Sequence, residues 1–179
     1  TGWASTLNGA HRTFCGDLAQ HVSNAASVFQ VQPVEILSSG ISGPNAAPRA
    51  SAIRSIYQSF GPAAVLDTAS NDLATAFQLA VWEILYDYTG VGSSINLTVG
   101  RFGASQTNGN PLGNGIITQF NSIIGSITGS PASSNVYALM GTQRQDQLVY
   151  VPGLIPTPGS ASLLALGSTC FLVRRRPSR

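Results

Sequence analysis

The sequence predicts an α+β fold: a strongly bent, barrel-like antiparallel sheet built from the chain's two ends, packed on a buried central helix with two smaller helices beside it. Three observations carry this expectation. The segment from Ser70 to Asp87 is the strongest helical pattern in the chain, with Leu73, Phe77, Ala80, Val81, Ile84 and Leu85 along one face. Short extended runs bounded by turn residues lie toward both termini. A length of 179 residues with 43% hydrophobic content suits one core, because a domain of about 150 residues buries roughly 70% of its unfolded surface.

Taken in order, Thr6 to Leu18 reads as a hairpin. Asn8-Gly9 is the turn signal, and Thr13-Phe14-Cys15 places the cysteine on the second strand. Val28 to Leu37 is a second extended stretch, and Ser38 to Pro48, with two Gly and two Pro, is a loop. Ala50 to Phe60 has Ile53, Ile56, Tyr57 and Phe60 at helical spacing, and Gly61-Pro62 ends it. The Ser70 to Asp87 helix has Ser70, Asn71 or Asp72 to cap it, and Ala, Leu and Trp on its other side predict that it is enclosed. Ile95 to Phe102 alternates like a strand, Gly103 to Gly115 is turn-rich, and Ile116 to Ile127 is a shorter helix. Val136 to Met140 and Gln147 to Val151 close the sheet. Pro152, Pro156 and Pro158 cannot sit inside a helix or a central strand, so a boundary divides a domain at 1–151 from a tail at 152–179.

Charge separates these two parts. Arg174, Arg175, Arg176 and Arg179 leave the body with five arginines against seven acidic side chains, a net of −2. The body has no basic face for phosphates, which excludes a nucleic-acid binder. Its solubility rests on Ser, Thr, Asn, Gln and Gly. The chain starts at Thr1 rather than Met, from which we expect a removed leader or a piece of a longer chain.

Residues 159–173 are almost without polar side chains. As a helix this run is about 22 Å long, short of the ~30 Å hydrocarbon core. Pro156-Thr157-Pro158, the apolar run and then Arg174, Arg175 and Arg176 resemble the PEP-CTERM sorting signal of exported proteins in exopolysaccharide-producing Gram-negative bacteria. The resemblance implies transient anchoring in the inner membrane through residues 159–173. It also implies cleavage by an exosortase-type membrane protease and delivery to the cell envelope or extracellular matrix.

Cysteine in an exported chain ordinarily forms disulfides, but Cys170 lies in the tail, so Cys15 has no partner in its own domain. Four readings of Cys15 remain: an inert buried side chain, an intermolecular disulfide, a nucleophile, or a residue consumed in another covalent bond. His11 and His21 flank it without a metal-ligand spacing. They are also weak partners for a Cys/His hydrolase. No metal or cofactor is expected. Gln78 is a neutral amide in the apolar run Phe77-Gln78-Leu79-Ala80-Val81-Trp82, with Ala74 one turn before it and Trp82 one turn after. It is either a buried amide bonded to backbone or a partner for Cys15.

Phe14-Cys15-Gly16-Asp17-Leu18, then Phe77-Gln78-Leu79-Ala80-Val81-Trp82-Glu83, then Gln145-Asp146-Gln147-Leu148 resemble, in that order, the signature of bacterial surface thioester (TQXA-like) domains. The resemblance implies an internal thioester between Cys15 and Gln78, shielded or supported by Phe14, Phe77, Trp82 and Gln147. It implies a covalent adhesion module of a biofilm matrix that acts once and is not an enzyme with turnover. Its partner would be an amine or hydroxyl on a surface polysaccharide or protein. The alternative is a noncovalent, exopolysaccharide-associated matrix protein with Cys15 reduced. A Cys-dependent hydrolase is the third possibility.

Overall fold

In the computed structural model of this chain, the described residues are 7, 10–21, 26–37, 43–64, 68–129, 135–142 and 144–151. They form strands β1 (Thr13–Cys15), β2 (Gln30–Pro33), β3 (Val136–Met140) and β4 (Gln147–Tyr150), and helices α1 (Ala46–Ser59), α2 (Gly61–Ala64), α3 (Asn71–Tyr86) and α4 (Asn114–Gly125). The four strands make one antiparallel sheet in the order β1-β4-β3-β2. The fold is therefore α+β, and the sheet does join the two ends of the chain.

The sheet is open, which corrects the expected barrel-like form. β1 and β2 are its two edges and do not meet. Its strands are three to five residues long, too short for the continuous tilt and stagger that closure requires, and Pro33 at the end of β2 has no N–H to offer a further strand.

α3 is the central element. Ser70 sits in extended backbone (φ −65°, ψ 151°), and its Oγ accepts from the Leu73 N–H at 3.1 Å, while Asp72 complements the positive end of the helix dipole. At the other end the buried Arg49 guanidinium donates to the carbonyls of Tyr88 (2.7 Å) and Tyr86 (3.0 Å), which satisfies acceptors that the helix terminus leaves free. Phe77, Ala80, Val81, Ile84 and Leu85 are fully buried, together with Ile53, Ile56 and Tyr57 of α1 and Ile123 of α4. Tyr57 and Phe77 meet edge to face at 4.9 Å, and Tyr57 stacks at 6.4 Å on Tyr150 of β4. This joins helices to sheet.

Several expectations shift. β1 pairs with β4; the Asn8-Gly9 turn and most of the first arm of the expected hairpin lie outside the described residues. Within Val28 to Leu37 the strand is short, and residues 34–37 turn helical. The expected loop at 38–48 is already α1 from Ala46, with Pro48 in the first turn, where a missing N–H costs nothing. Ile95 to Phe102 is not a strand. A 3-10 turn at Gly92–Ser94 leads into turns and bends, and its backbone N–H groups go to side chains instead of a ladder: Asn96 to Glu83, Thr98 to Asn96, and Arg101 and Phe102 to Asp87. Among the described residues no helix is long and apolar enough to cross a membrane. The tail, with Pro156, Thr157, Pro158, the run at 159–173, Arg174, Arg175 and Arg176, lies outside them.

Candidate functional site

β1 turns its two edges to different partners. The Gly16 N–H donates to the Asp146 carbonyl at 2.7 Å, so residue 16 and, by the two-residue alternation of a strand, residue 14 direct their backbone groups toward β4. Those of Cys15 face the outer edge of the sheet. Gln78 occupies that edge. The Cys15 N–H donates to Gln78 Oε1 at 2.8 Å, and Gln78 Nε2 donates to the Cys15 carbonyl at 2.9 Å. One primary amide thus pairs with the cysteine as a neighbouring strand's peptide group would, and closes an edge that would otherwise be open to other chains. Residues 63 positions apart are held in contact.

Side-chain alternation then sorts the aromatic residues. Phe14 points to the face opposite Cys15 and is 5% exposed. It lies 4.6 Å from Phe77 and 6.3 Å from Tyr57, ring centroid to centroid. Phe14 and Phe77 therefore wall the site from the core side and do not lie over the thiol. Trp82 is half-buried and packs on Phe102 at 5.6 Å; its Nε1 is buried without a hydrogen-bond partner among the described residues.

Gln147 is the cross-strand neighbour of Cys15. With the Cys15 backbone turned away from β4, the two form a non-hydrogen-bonded pair, the kind whose side chains stand closest. The Thr13 hydroxyl, on the same face, donates to Gln147 Oε1 at 2.5 Å, so Gln147 is oriented through its oxygen, with its Nε2 left to donate. Thr13 was not singled out from sequence; its position two residues before the cysteine on a strand is the signal that would have found it.

Beyond Cys15 the chain is pinned. Gln145 Nε2 donates to the Asp17 carbonyl, the Leu18 N–H donates to the Tyr86 hydroxyl at 3.1 Å, and Tyr86 donates to Asp17 Oδ1 at 3.4 Å. Gly16 is required here by space. A Cβ at this position would stand 2.6 Å from Leu37 Cδ2 and 3.4 Å from the Asp146 carbonyl oxygen. Gly16→Ala should destabilise the domain by about 1–3 kcal/mol, measured by urea unfolding. The penalty should shrink in a Leu37→Ala background, where the clashing methyl is gone.

Burial pushes the Cys15 thiol above its ordinary pKa. No hydrogen bond reaches its Sγ among the described residues. His11 and His21 are exposed, and neither is hydrogen-bonded to Cys15. Neither histidine is therefore placed as a base for the thiol among the described residues. No cluster of His, Cys, Asp and Glu among the described residues could hold a metal ion. Comparison of the chain with protein-family models, curated proteins and solved structures gives no match, so the chemistry of this site rests on the contact between Cys15 and Gln78.

Proposed function

We propose that the domain is an exported surface module that forms an internal thioester between Cys15 and Gln78 and uses it for a single covalent attachment. The observation that supports this reading is the pair of hydrogen bonds by which Gln78 clasps Cys15. They fix the carboxamide beside the backbone of the residue that carries the thiol, which lowers the entropy cost of bringing the two groups together.

The steps follow from these contacts. The Cys15 sulfur attacks Cδ of Gln78, and negative charge develops on Oε1, where the Cys15 N–H is already placed as a donor. The C–N bond breaks. Nitrogen leaves as ammonia with the thiol proton, and the products are a thioester and one ammonia. A primary amine that later attacks the carbonyl becomes amide-linked to Gln78, and a hydroxyl becomes ester-linked. In both cases Cys15 recovers its proton as a free thiol. An amide product restores an N–H that can donate to the Cys15 carbonyl; an ester cannot. Gln147, held by Thr13 and opposite Cys15 in the register, supplies a side-chain N–H on the β4 side of the cysteine. Phe14 and Phe77 keep water from the core side.

Intact mass tests this. The recombinant body should weigh one ammonia less than its sequence, and methylamine should convert that species to a discrete adduct. A full-mass chain whose Cys15 alkylates without denaturant would refute the bond. Because the thiol pKa is raised, the attacking thiolate is scarce near neutrality and grows as pH rises. Ammonia loss from freshly folded chain should therefore accelerate across roughly pH 6 to 9 without levelling off, as followed by the mass deficit over time.

The second reading is a noncovalent matrix protein in which the Gln78 clasp only caps the sheet edge. It is favoured by one observation: the clasp by itself satisfies the amide and the Cys15 backbone. The same mass measurement separates the two. In either case the Pro156-Thr157-Pro158 tail, through the apolar helix expected at 159–173 and the arginines at 174–176, is proposed to send the body to an exosortase-type protease and then to the envelope or matrix. Truncation after Val151 should release the body from the membrane fraction.

A further inference from the structure

The segment 95–103 is fastened to α3 by two carboxylates one helical turn apart, and they are unequal. Asp87 is well served: Oδ1 accepts from the Arg101 N–H and Oδ2 from the Phe102 N–H, each at 2.7 Å. Gly100 (φ +132°) makes this approach possible, since a Cβ there would stand 2.6 Å from Asp87 Oδ2. Glu83 is poorly served. It is 0% exposed, Oε2 accepts one N–H, from Asn96, at 3.3 Å, and Oε1 is buried with no partner among the described residues. A buried carboxylate in that state carries a large desolvation cost that a proton removes.

We propose that segment 95–103 is a proton-controlled latch, closed on α3 while Glu83 is neutral and loosened when Glu83 ionises. The groups around Glu83 do not all act alike, but burial and Asp87 outweigh the rest. Asp87, on the same helix, repels the ionised form. From the segment itself the Asn96 N–H opposes this by favouring the ionised form, and Arg101 is the segment's one charged residue. Arg49 of α1 donates to the carbonyls of Tyr86 and Tyr88, and α4 carries no ionisable side chain. Burial, then the charge of Asp87, raise the Glu83 carboxyl to about 7 against the opposing Asn96 N–H. Closure is thus fully favoured below the ordinary carboxyl range. It weakens as pH rises and is weakest above about 7. The ordinary glutamate pKa is near 4.3, so the opening equilibrium can change by up to ~500-fold between the two limits.

Opening would expose two things. Phe102 would leave Trp82, and the cavity of about 310 Å³ between this segment and α4, lined by Asn96, Leu97, Thr98, Phe120 and Asn121, would lose a wall. The latch does not depend on the thioester.

Amide hydrogen exchange on the intact chain, corrected for intrinsic rates, tests it. Protection at Asn96, Arg101 and Phe102 should fall about tenfold or more between pH 5.5 and pH 8, while core amides such as Phe77 and Ile84 hold. In Glu83→Gln the fall should vanish. Constant protection in the unaltered protein, or an equal fall in E83Q, overturns the proposal. Should E83Q not fold, the carboxyl carbon shift of Glu83 in the unaltered protein decides: a midpoint near 7 supports the latch, and one in the ordinary carboxylate range refutes it.

Discussion

Gln78→Ala should destabilise the domain more than Cys15→Ala, although both substitutions would prevent the proposed cross-link. In the closed-loop view a bond between positions 15 and 78, which are 63 apart, restricts the unfolded chain by up to ~4 kcal/mol, and either variant forfeits that amount. The difference comes from the backbone. Cys15→Ala keeps the N–H and carbonyl of residue 15 and leaves Gln78 able to clasp them. Gln78→Ala removes both hydrogen bonds and strands two part-buried backbone groups on the sheet edge, a further cost of about 2–3 kcal/mol. Thermal unfolding should place Gln78→Ala several degrees below Cys15→Ala. Both chains should show full sequence mass. Equal melting temperatures would mean that the clasp contributes nothing to stability, and a persisting mass deficit in either variant would place the modification elsewhere.

Phe77→Ala should be the most damaging single change in the core, at about 3–5 kcal/mol, a large part of the 5–15 kcal/mol that holds a typical domain together. Phe77 is fully buried and touches the rings of both Phe14 and Tyr57, so its loss opens a cavity between β1, α1 and α3. The consequence reaches the site because Phe77 precedes Gln78 on α3, while Phe14 precedes Cys15 on β1. These two rings set the distance between helix and strand. Where Phe77→Ala still folds, its mass deficit should appear more slowly than in the unaltered protein. Phe77→Leu, which fills more of the space, should recover part of both stability and rate, as followed by urea unfolding and intact mass.

Much of this was readable from local pattern. The α3 segment, with its apolar face and Ser70 cap, was visible because helical period and capping are properties of consecutive residues. Cys15 and Gln78 were each singled out by their sequence surroundings, though only a resemblance joined them as a pair, and Val136 to Met140 was legible as a closing strand. Ile95 to Phe102 misled because its alternation of apolar and polar residues imitates a strand. Its N–H groups are taken by Glu83, Asn96 and Asp87, and Val99 faces solvent while Leu97 and Phe102 are buried. The start of α1 was placed too late because the prolines at 44 and 48 read as loop, whereas Pro48 sits in the first helical turn. Glu83 passed unnoticed: a carboxyl on an amphipathic pattern reads as a solvated residue until the segment that covers it is in place.

The sequence by itself determined the α3 helix and its cap, which faces are apolar, and that positive charge belongs to the tail, since each of these depends on neighbours within a few positions. Only the tertiary structure decided that the backbone of Cys15 looks outward to Gln78 and that Glu83 is sealed without a full set of partners. Which edge of a strand is free depends on the register with a partner more than a hundred residues away, and the state of a carboxyl depends on what closes over it.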